Sequence, residues 1–266
     1  MLQRKLNISA IVVGYNEAQH LKKSLPKLSF CDEILYFDLG SIDNSIKIAK
    51  ENNAIIIEHD RVLSCEWIHS EYYKTTKYDW VLITDPDEII SDDLINEIKK
   101  MYDLGIFENK KIGCVSAPWI FHFKDRVLRG TVWGGVRGRI LLVHNERFDF
   151  KPLIHVGRKL KKEFFSEEIK FTGNNVIDHY WMTSYKGLIE KHKRYLKNEG
   201  EAKYKSGQRT RIKSILLEPL RAFKYSYISK KGFKDGWTGI FLSFFWGWYR
   251  TSSLIKLYQY QNRVAK

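Results

Sequence analysis

The chain has 266 residues and carries 45 Lys and Arg against 31 Asp and Glu, a formal net charge of +14 at pH 7. Hydrophobic residues at 44% and aromatics at 14% exclude a disordered chain, and only five prolines exclude a low-complexity linker protein. The length suits one large α/β domain or two small ones and is too great for a disulfide-stapled miniature.

The charge is unevenly spread. Residues 1 to 150 hold 20 basic and 22 acidic side chains, residues 151 to 235 hold 21 and 9, and residues 236 to 266 hold 4 and 0. An excess confined to the C-terminal part implies an anionic partner: nucleic acid, a phosphorylated substrate or a membrane surface. Cys31, Cys65 and Cys114 form no CxxC pair and cannot all pair within the chain, which fits a reducing compartment and buried small hydrophobes. The first residues run straight into a strand pattern, without the apolar stretch and small-residue cleavage site of a signal peptide. The expected location is cytoplasmic.

In chain order, Ile8 to Val13 reads as a continuous apolar strand, followed by a helix with Leu21, Leu25 and Leu28 on one face. Ile34 to Phe37 is the second strand, and Asp43, Asn44 or Ser45 can cap a helix running to Asn53. Ala54 to Ile57 is the third strand and Trp80 to Thr84 the fourth. Asp92 to Leu104 is a helix with Leu94, Ile95, Ile98 and Met101 on one face. This alternation predicts a parallel sheet with crossover helices. After Gly113 come strands without long helices between them, at Cys114 to Phe121, Arg139 to Val143 and Val176 to Tyr180. A helix from Tyr185 to Asn198 and an aromatic tail from Trp237 to Tyr249 complete the pattern.

Three signals stand at successive strand ends. The fourth strand ends in Thr84-Asp85-Pro86-Asp87-Glu88, at the edge where open α/β sheets bind ligands. Proline restricts the local backbone, so Asp85 and Asp87 can converge as oxygen ligands for a hard divalent cation. A turn whose acids cap the next helix explains the spacing equally well. The second strand ends in Asp38-Leu39-Gly40-Ser41-Ile42-Asp43, where Asp38 can accept from a ribose hydroxyl or a base N–H. Capping accounts well for Asp43 and poorly for Asp38. The first strand ends in Gly14-Tyr15-Asn16-Glu17, an aromatic and an amide suited to flank a nucleotide base.

Together with Arg137-Gly138-Arg139-Ile140-Leu141-Leu142, Ile154-His155, His179-Tyr180 and Lys191-His192-Lys193-Arg194-Tyr195, these segments resemble the family-two inverting glycosyltransferases of GT-A fold. The likeness is to the branch that builds lipopolysaccharide core and other surface glycans, and it spans nearly the whole chain. It implies a GT-A α/β fold, a Rossmann-like mixed sheet flanked by helices, over residues 1–180. Residues 1–112 would be its nucleotide-binding half and 113–180 its acceptor half, with a helical, basic and aromatic extension at 181–266.

By that resemblance, Tyr15, Asn16, Glu17, Asp38, Asp85 and Arg139 would bind the donor, a UDP-sugar foremost, and Asp87 with Asp85 would hold Mg²⁺ or Mn²⁺ on its diphosphate. The acceptor would be a glycan or glycolipid, and the activity a metal-dependent, inverting hexosyl transfer. Charge developing on the leaving diphosphate needs a pre-placed cation, and the attacking hydroxyl needs a general base. Relatives carry Glu after the His at position 155, where this chain has Val156, so His155, Asp178 and Glu146 are the candidate bases. Relatives also carry Lys or Arg where this chain has His69, which implies a weaker or pH-dependent phosphate contact. Arg137 and Arg139 are candidate phosphate clamps or solvated loop arginines.

The apolar run Ile240 to Tyr249 is about half the length of a membrane-spanning helix. It reads either as a core element or, flanked by Lys230, Lys231, Lys234, Arg250 and Lys256, as a segment lying peripherally on an anionic membrane surface. A nucleic-acid binder would use the same basic stretch with Tyr204, Tyr225 and Tyr227, but leaves Asp38, Asp85 and Asp87 unexplained. A sugar nucleotidylyltransferase would need a Gly-rich phosphate loop and a basic residue after the first strand, and a dehydrogenase would need GxGxxG there. Neither pattern occurs.

Overall fold

A computed structural model describes residues 4–62, 64–151 and 158–264. His155 lies outside the described residues. The strands are β1 (Leu6–Gly14), β2 (Cys31–Asp38), β3 (Ile55–Glu58), β4 (Trp80–Thr84), β5 (Glu88–Ile90), β6 (Ile112–Phe123), β7 (Arg126–Val127), β8 (Arg137–His144), β9 (Phe148–Phe150), β10 (Arg158–Leu160), β11 (Phe165–Glu168) and β12 (Ile177–Met182). The helices are α1 (Ala18–Ser24), α2 (Ser45–Glu51), α3 (Cys65–Tyr72), α4 (Asp92–Asp103), α5 (Tyr185–Lys205), α6 (Ile212–Lys224) and α7 (Gly236–Val264). They form two compact units: Met1–Trp119 with Arg137–His179, and Ile120–Val136 with Tyr180–Lys266.

The first unit is built on a mixed sheet in the order β3-β2-β1-β4-β8-β6-β12-β5. Strand β1 sits between β2 and β4 and runs parallel to both, with Val12 beside Tyr36 and Thr84, and Gly14 beside Asp38. A central parallel strand is covered on both faces, which is why Ala10 to Val13 is an unbroken apolar run rather than an alternating one. Strand β8 pairs antiparallel with β4, setting His144 beside Trp80, and begins the mixed half. Helices cover both faces. Leu21, Leu25, Leu28, Leu94, Ile95 and Ile98 pack with Val12, Tyr36 and Leu82, while Ile68 and Tyr73 pack with Val13, Phe37 and Ile83. This is a mixed sheet flanked by helices, as the sequence predicts.

In the second unit, α5 buries Leu188, His192, Leu196 and Gly200 on one face and leaves Tyr195 exposed. Trp133 stacks on Trp181 with centroids 4.8 Å apart, and His192 meets the ring of Phe245 edge-on at 4.8 Å. Glu199 on α5 accepts from the hydroxyls of Tyr249 (2.6 Å) and Ser253 (2.8 Å), fastening it to α7.

The run 240–249 is the middle of the 29-residue α7 and buries Leu242, Ser243, Phe245 and Gly247. Its core reading therefore holds for these positions. Phe244 and Trp248 of the same run are exposed, and a second exposed apolar stripe lies on α6, at Ile212, Leu216 and Leu220, positions four apart and so on one helix face. Leu216 and Leu220 are 73% and 72% exposed. Among the described residues, no helix is long and apolar enough to cross a membrane.

Candidate active site

Two loops at the C-terminal edge of the first unit's sheet are tied to one another by backbone N–H groups that donate to side-chain oxygens. Asn16, at a left-handed φ of 55° that Asn tolerates, donates its N–H to Ser41 Oγ (2.9 Å), and its Oδ1 accepts from Ile42 N (2.8 Å). Glu17 N donates to Ser45 Oγ (2.9 Å), while Asp43 accepts from Ala18 N and Ser45 N at the starts of α1 and α2. The Glu17 carboxylate meets His20 Nδ1 at 2.7 Å. Tyr15 carries the guanidinium of Arg61, 3.6 Å from its ring centroid. Arg61 follows β3, and nothing in its local spacing marks it.

Asp38 is only 2% exposed. Its Oδ2 accepts from Gly40 N (3.1 Å) and Ser41 N (2.8 Å), and its Oδ1 accepts from the Tyr36 hydroxyl (3.3 Å). Backbone capping thus accounts well for Asp38, which corrects the reading from sequence. The Tyr36 hydroxyl also explains Gly14, where a Cβ would fall 2.8 Å from that oxygen.

The acids after β4 surround Arg139. Glu88, 1% exposed, accepts at Oε2 from Asp85 N (2.9 Å), Thr84 Oγ1 (3.1 Å) and the Arg139 guanidinium, whose other terminal nitrogen lies 3.6 Å from Asp85 Oδ2. Burial opposes the charge of Asp85, yet the guanidinium of Arg139 above all holds its carboxyl below the usual carboxylate range. The Arg139 group sits 5.5 Å from the Trp119 ring centroid, and Trp119 stacks on His179 at 5.0 Å. His179 Nε2 is 3.3 Å from Asp87 Oδ2.

Strand geometry separates the other candidates. His179 pairs with Glu88 across β12 and β5, while Asp178 pairs with Ile89, and alternation sends Asp178 to the opposite face. By the same rule, Asp38 shares the face of Tyr36 and Thr84. Asp85, Asp87, Arg139 and His179 come together, and Asp38 serves the neighbouring loop. Glu146 is exposed in the turn after β8, whose end pairs with the start of β4, so it stands at the opposite edge of the sheet from Asp85.

His69 lies within α3 and is fully buried, 3.4 Å from Arg158. Burial, aided by that guanidinium, pushes its imidazole down to about 4. It is neutral at physiological pH, which corrects the expected pH-dependent phosphate contact.

Among the described residues, no group of three or more His, Cys, Asp or Glu is placed to hold a metal ion. Mg²⁺ and Mn²⁺ need only one or two carboxylates when substrate phosphates supply the remaining oxygens. Asp87 engages one oxygen with His179, and Asp85 sets one toward Arg139; the other oxygen of each has no partner among the described residues. This donor set fits a hard cation held first by Asp87 and second by Asp85. Glu88 does not fit, because Oε2 is taken and Oε1 is buried.

No protein-family model matches the chain. It is 23% identical over 282 residues to an uncharacterised glycosyltransferase of Rickettsia prowazekii, spanning 94% of this chain and 86% of that one. A counterpart from Rickettsia felis is 22% identical over 280 residues, at 94% and 89% coverage. Among solved structures, glucosyl-3-phosphoglycerate synthase of Mycobacterium tuberculosis, determined with Mg²⁺ and UDP, is similar over 66% of this chain and 72% of its own, at 14% identity and a TM-score of 0.43. S. aureus TarS is similar over 87% and 46%, at 13% identity and a TM-score of 0.46. Along nearly its whole length the chain is thus similar to curated glycosyltransferases.

Proposed function

We propose that this protein is a glycosyltransferase that moves a hexosyl group, with inversion, from a nucleoside diphosphate donor to a glycan or glycolipid acceptor in surface-polysaccharide or lipopolysaccharide assembly. The observation that carries the reading is the grouping of Asp85, Asp87, Arg139 and His179 at the strand edge that also bears Tyr15 and Arg61. Tyr15 and Arg61 offer a planar stack for the base, and the Asn16 and Asp38 loops shape the pocket beside it. Asp87 with Asp85 would hold Mg²⁺ or Mn²⁺, which when bound supplies positive charge to the departing diphosphate. Arg139 fixes Asp85 and Glu88, so the acids are positioned before the donor arrives. His155 is the proposed general base, Asp178 being set aside by the face it occupies.

A thermal-shift panel of UDP, GDP, dTDP and CMP with and without Mn²⁺ tests the donor, since a ligand that binds only the folded state raises its melting temperature. The expected result is a shift by one diphosphate that depends on Mn²⁺. No shift by any of them contradicts the reading.

The same reading places the enzyme on the cytoplasmic face of an anionic membrane through α6. Its stripe of Ile212, Leu216 and Leu220 is exposed, and Arg211, Lys213, Arg221 and Lys224 on the same helix segment match an anionic headgroup layer while opposing a second copy. Leu216→Asn with Leu220→Asn should abolish sedimentation with phosphatidylglycerol vesicles. Unchanged sedimentation contradicts this placement.

A further inference from the structure

The second unit contains a cleft of about 500 Å³ whose lining includes Arg126, Arg129, Lys234, Asp235 and Thr238. Main-chain contacts fix its walls. Asp235 accepts from Arg129 N (2.7 Å) and Gly130 N (2.8 Å), joining the two segments that form the cleft. A Cβ on Gly130 would fall 2.0 Å from the Lys231 carbonyl oxygen, and one on Gly239 would fall 1.8 Å from that of Gly232, so these backbones meet with no room for a side chain.

This construction turns the one carboxylate of the lining onto backbone donors. Elsewhere many surface cations find acids, as Lys27 does with Asp92, Lys77 with Asp32 and Arg250 with Glu218. Among the described residues, Arg126, Arg129 and Lys234 form no ion pair, although all three line one concavity. Two guanidinium forks and an ammonium around a concavity of this size match a tetrahedral oxyanion, which guanidinium binds bidentately and ammonium binds as a point charge. Val127 and Leu128 on the same lining give an apolar wall for the body that carries the anion.

We propose that this cleft binds a phosphate or diphosphate group carried by the acceptor. Its assignment to the acceptor rests on the transferase reading; the phosphate chemistry does not. Arg129 meets Asp235 through its main chain alone, so its side chain is available to a ligand and removable without breaking the wall.

The test is calorimetric titration of the full chain with pyrophosphate, free of divalent metal and at low ionic strength, where such contacts are least screened. The variants are Arg126→Gln with Arg129→Gln, Lys234→Gln alone in case the pair does not fold, and Asp87→Asn. The expected result is a roughly tenfold or greater loss of pyrophosphate affinity in the arginine pair, a smaller loss in Lys234→Gln and none in Asp87→Asn. Phosphatidylglycerol vesicles separate the sources. Parallel loss of vesicle binding in the arginine pair identifies a lipid headgroup, and retained vesicle binding identifies a soluble phosphate ester. Wild-type pyrophosphate affinity in the folded variants, or no binding to the wild type, overturns the proposal whatever the donor panel shows. A gain in Asp87→Asn with no loss in the arginine pair assigns the anion to the strand edge and overturns it too.

Discussion

Arg139 on β8 and Glu88 on β5 form an ion pair in which both side chains are buried, within the group of residues proposed to act on the donor. Removing one partner of such a pair leaves the other charge without compensation. Arg139→Met should therefore cost about 3–5 kcal/mol of unfolding free energy. Burial already raises the Glu88 carboxyl, and without the guanidinium it rises further, so protonation relieves the cost. The deficit should shrink as pH falls toward 5, and Glu88→Gln added to Arg139→Met should recover part of it. Urea unfolding at several pH values checks this; a deficit that does not change with pH contradicts the pair's role.

His69 predicts a stability dependence of definite sign. Its imidazole titrates at about 4 in the folded chain, against an ordinary 6.5 in the unfolded one. Between these values the unfolded state binds the extra proton, so stability is full above pH 6.5 and falls as pH drops toward 4, by about 3 kcal/mol. His69→Phe, placed beside Phe150, should flatten the stability profile across that window relative to the wild type. Parallel profiles for the two proteins contradict the assignment.

Gly200 faces α7 in the second unit, and a Cβ there would lie 2.5 Å from the Lys256 carbonyl oxygen. Alanine is favoured over glycine inside a helix by about 1 kcal/mol. Here the clash outweighs that preference, and Gly200→Ala should destabilise by about 1–3 kcal/mol, read as a lower urea midpoint. A raised midpoint contradicts the close approach.

Much of the first unit is readable in the sequence because its signals are local. Strands β1, β2 and β4 carry the apolar runs Ala10 to Val13, Ile34 to Phe37 and Trp80 to Ile83, and α4 shows helical periodicity with Ser91 accepting from Leu94 N at its start. Strand β5 is only three residues long and opens on an acid, so no pattern marks it. Helix α6 hides behind Pro219, which ordinarily breaks a helix interior. The strand-end acids are visible in sequence, but their partners are not. Arg61 on Tyr15 and His179 beside Asp87 join residues far apart in the chain. The internal capping by Asp38 depends on where Tyr36 and the Ser41 N–H point, which spacing does not encode.

The account stands most directly on Asp87 as the residue that holds a divalent ion against the donor's diphosphate. Electron paramagnetic resonance of Mn²⁺, titrated with protein in the presence of UDP, measures this without any acceptor. Wild type should sequester the ion, and Asp87→Asn, with an unchanged melting temperature, should bind it at least about tenfold more weakly, the loss expected for one charged ligand. Equal sequestration by the two proteins would contradict the account.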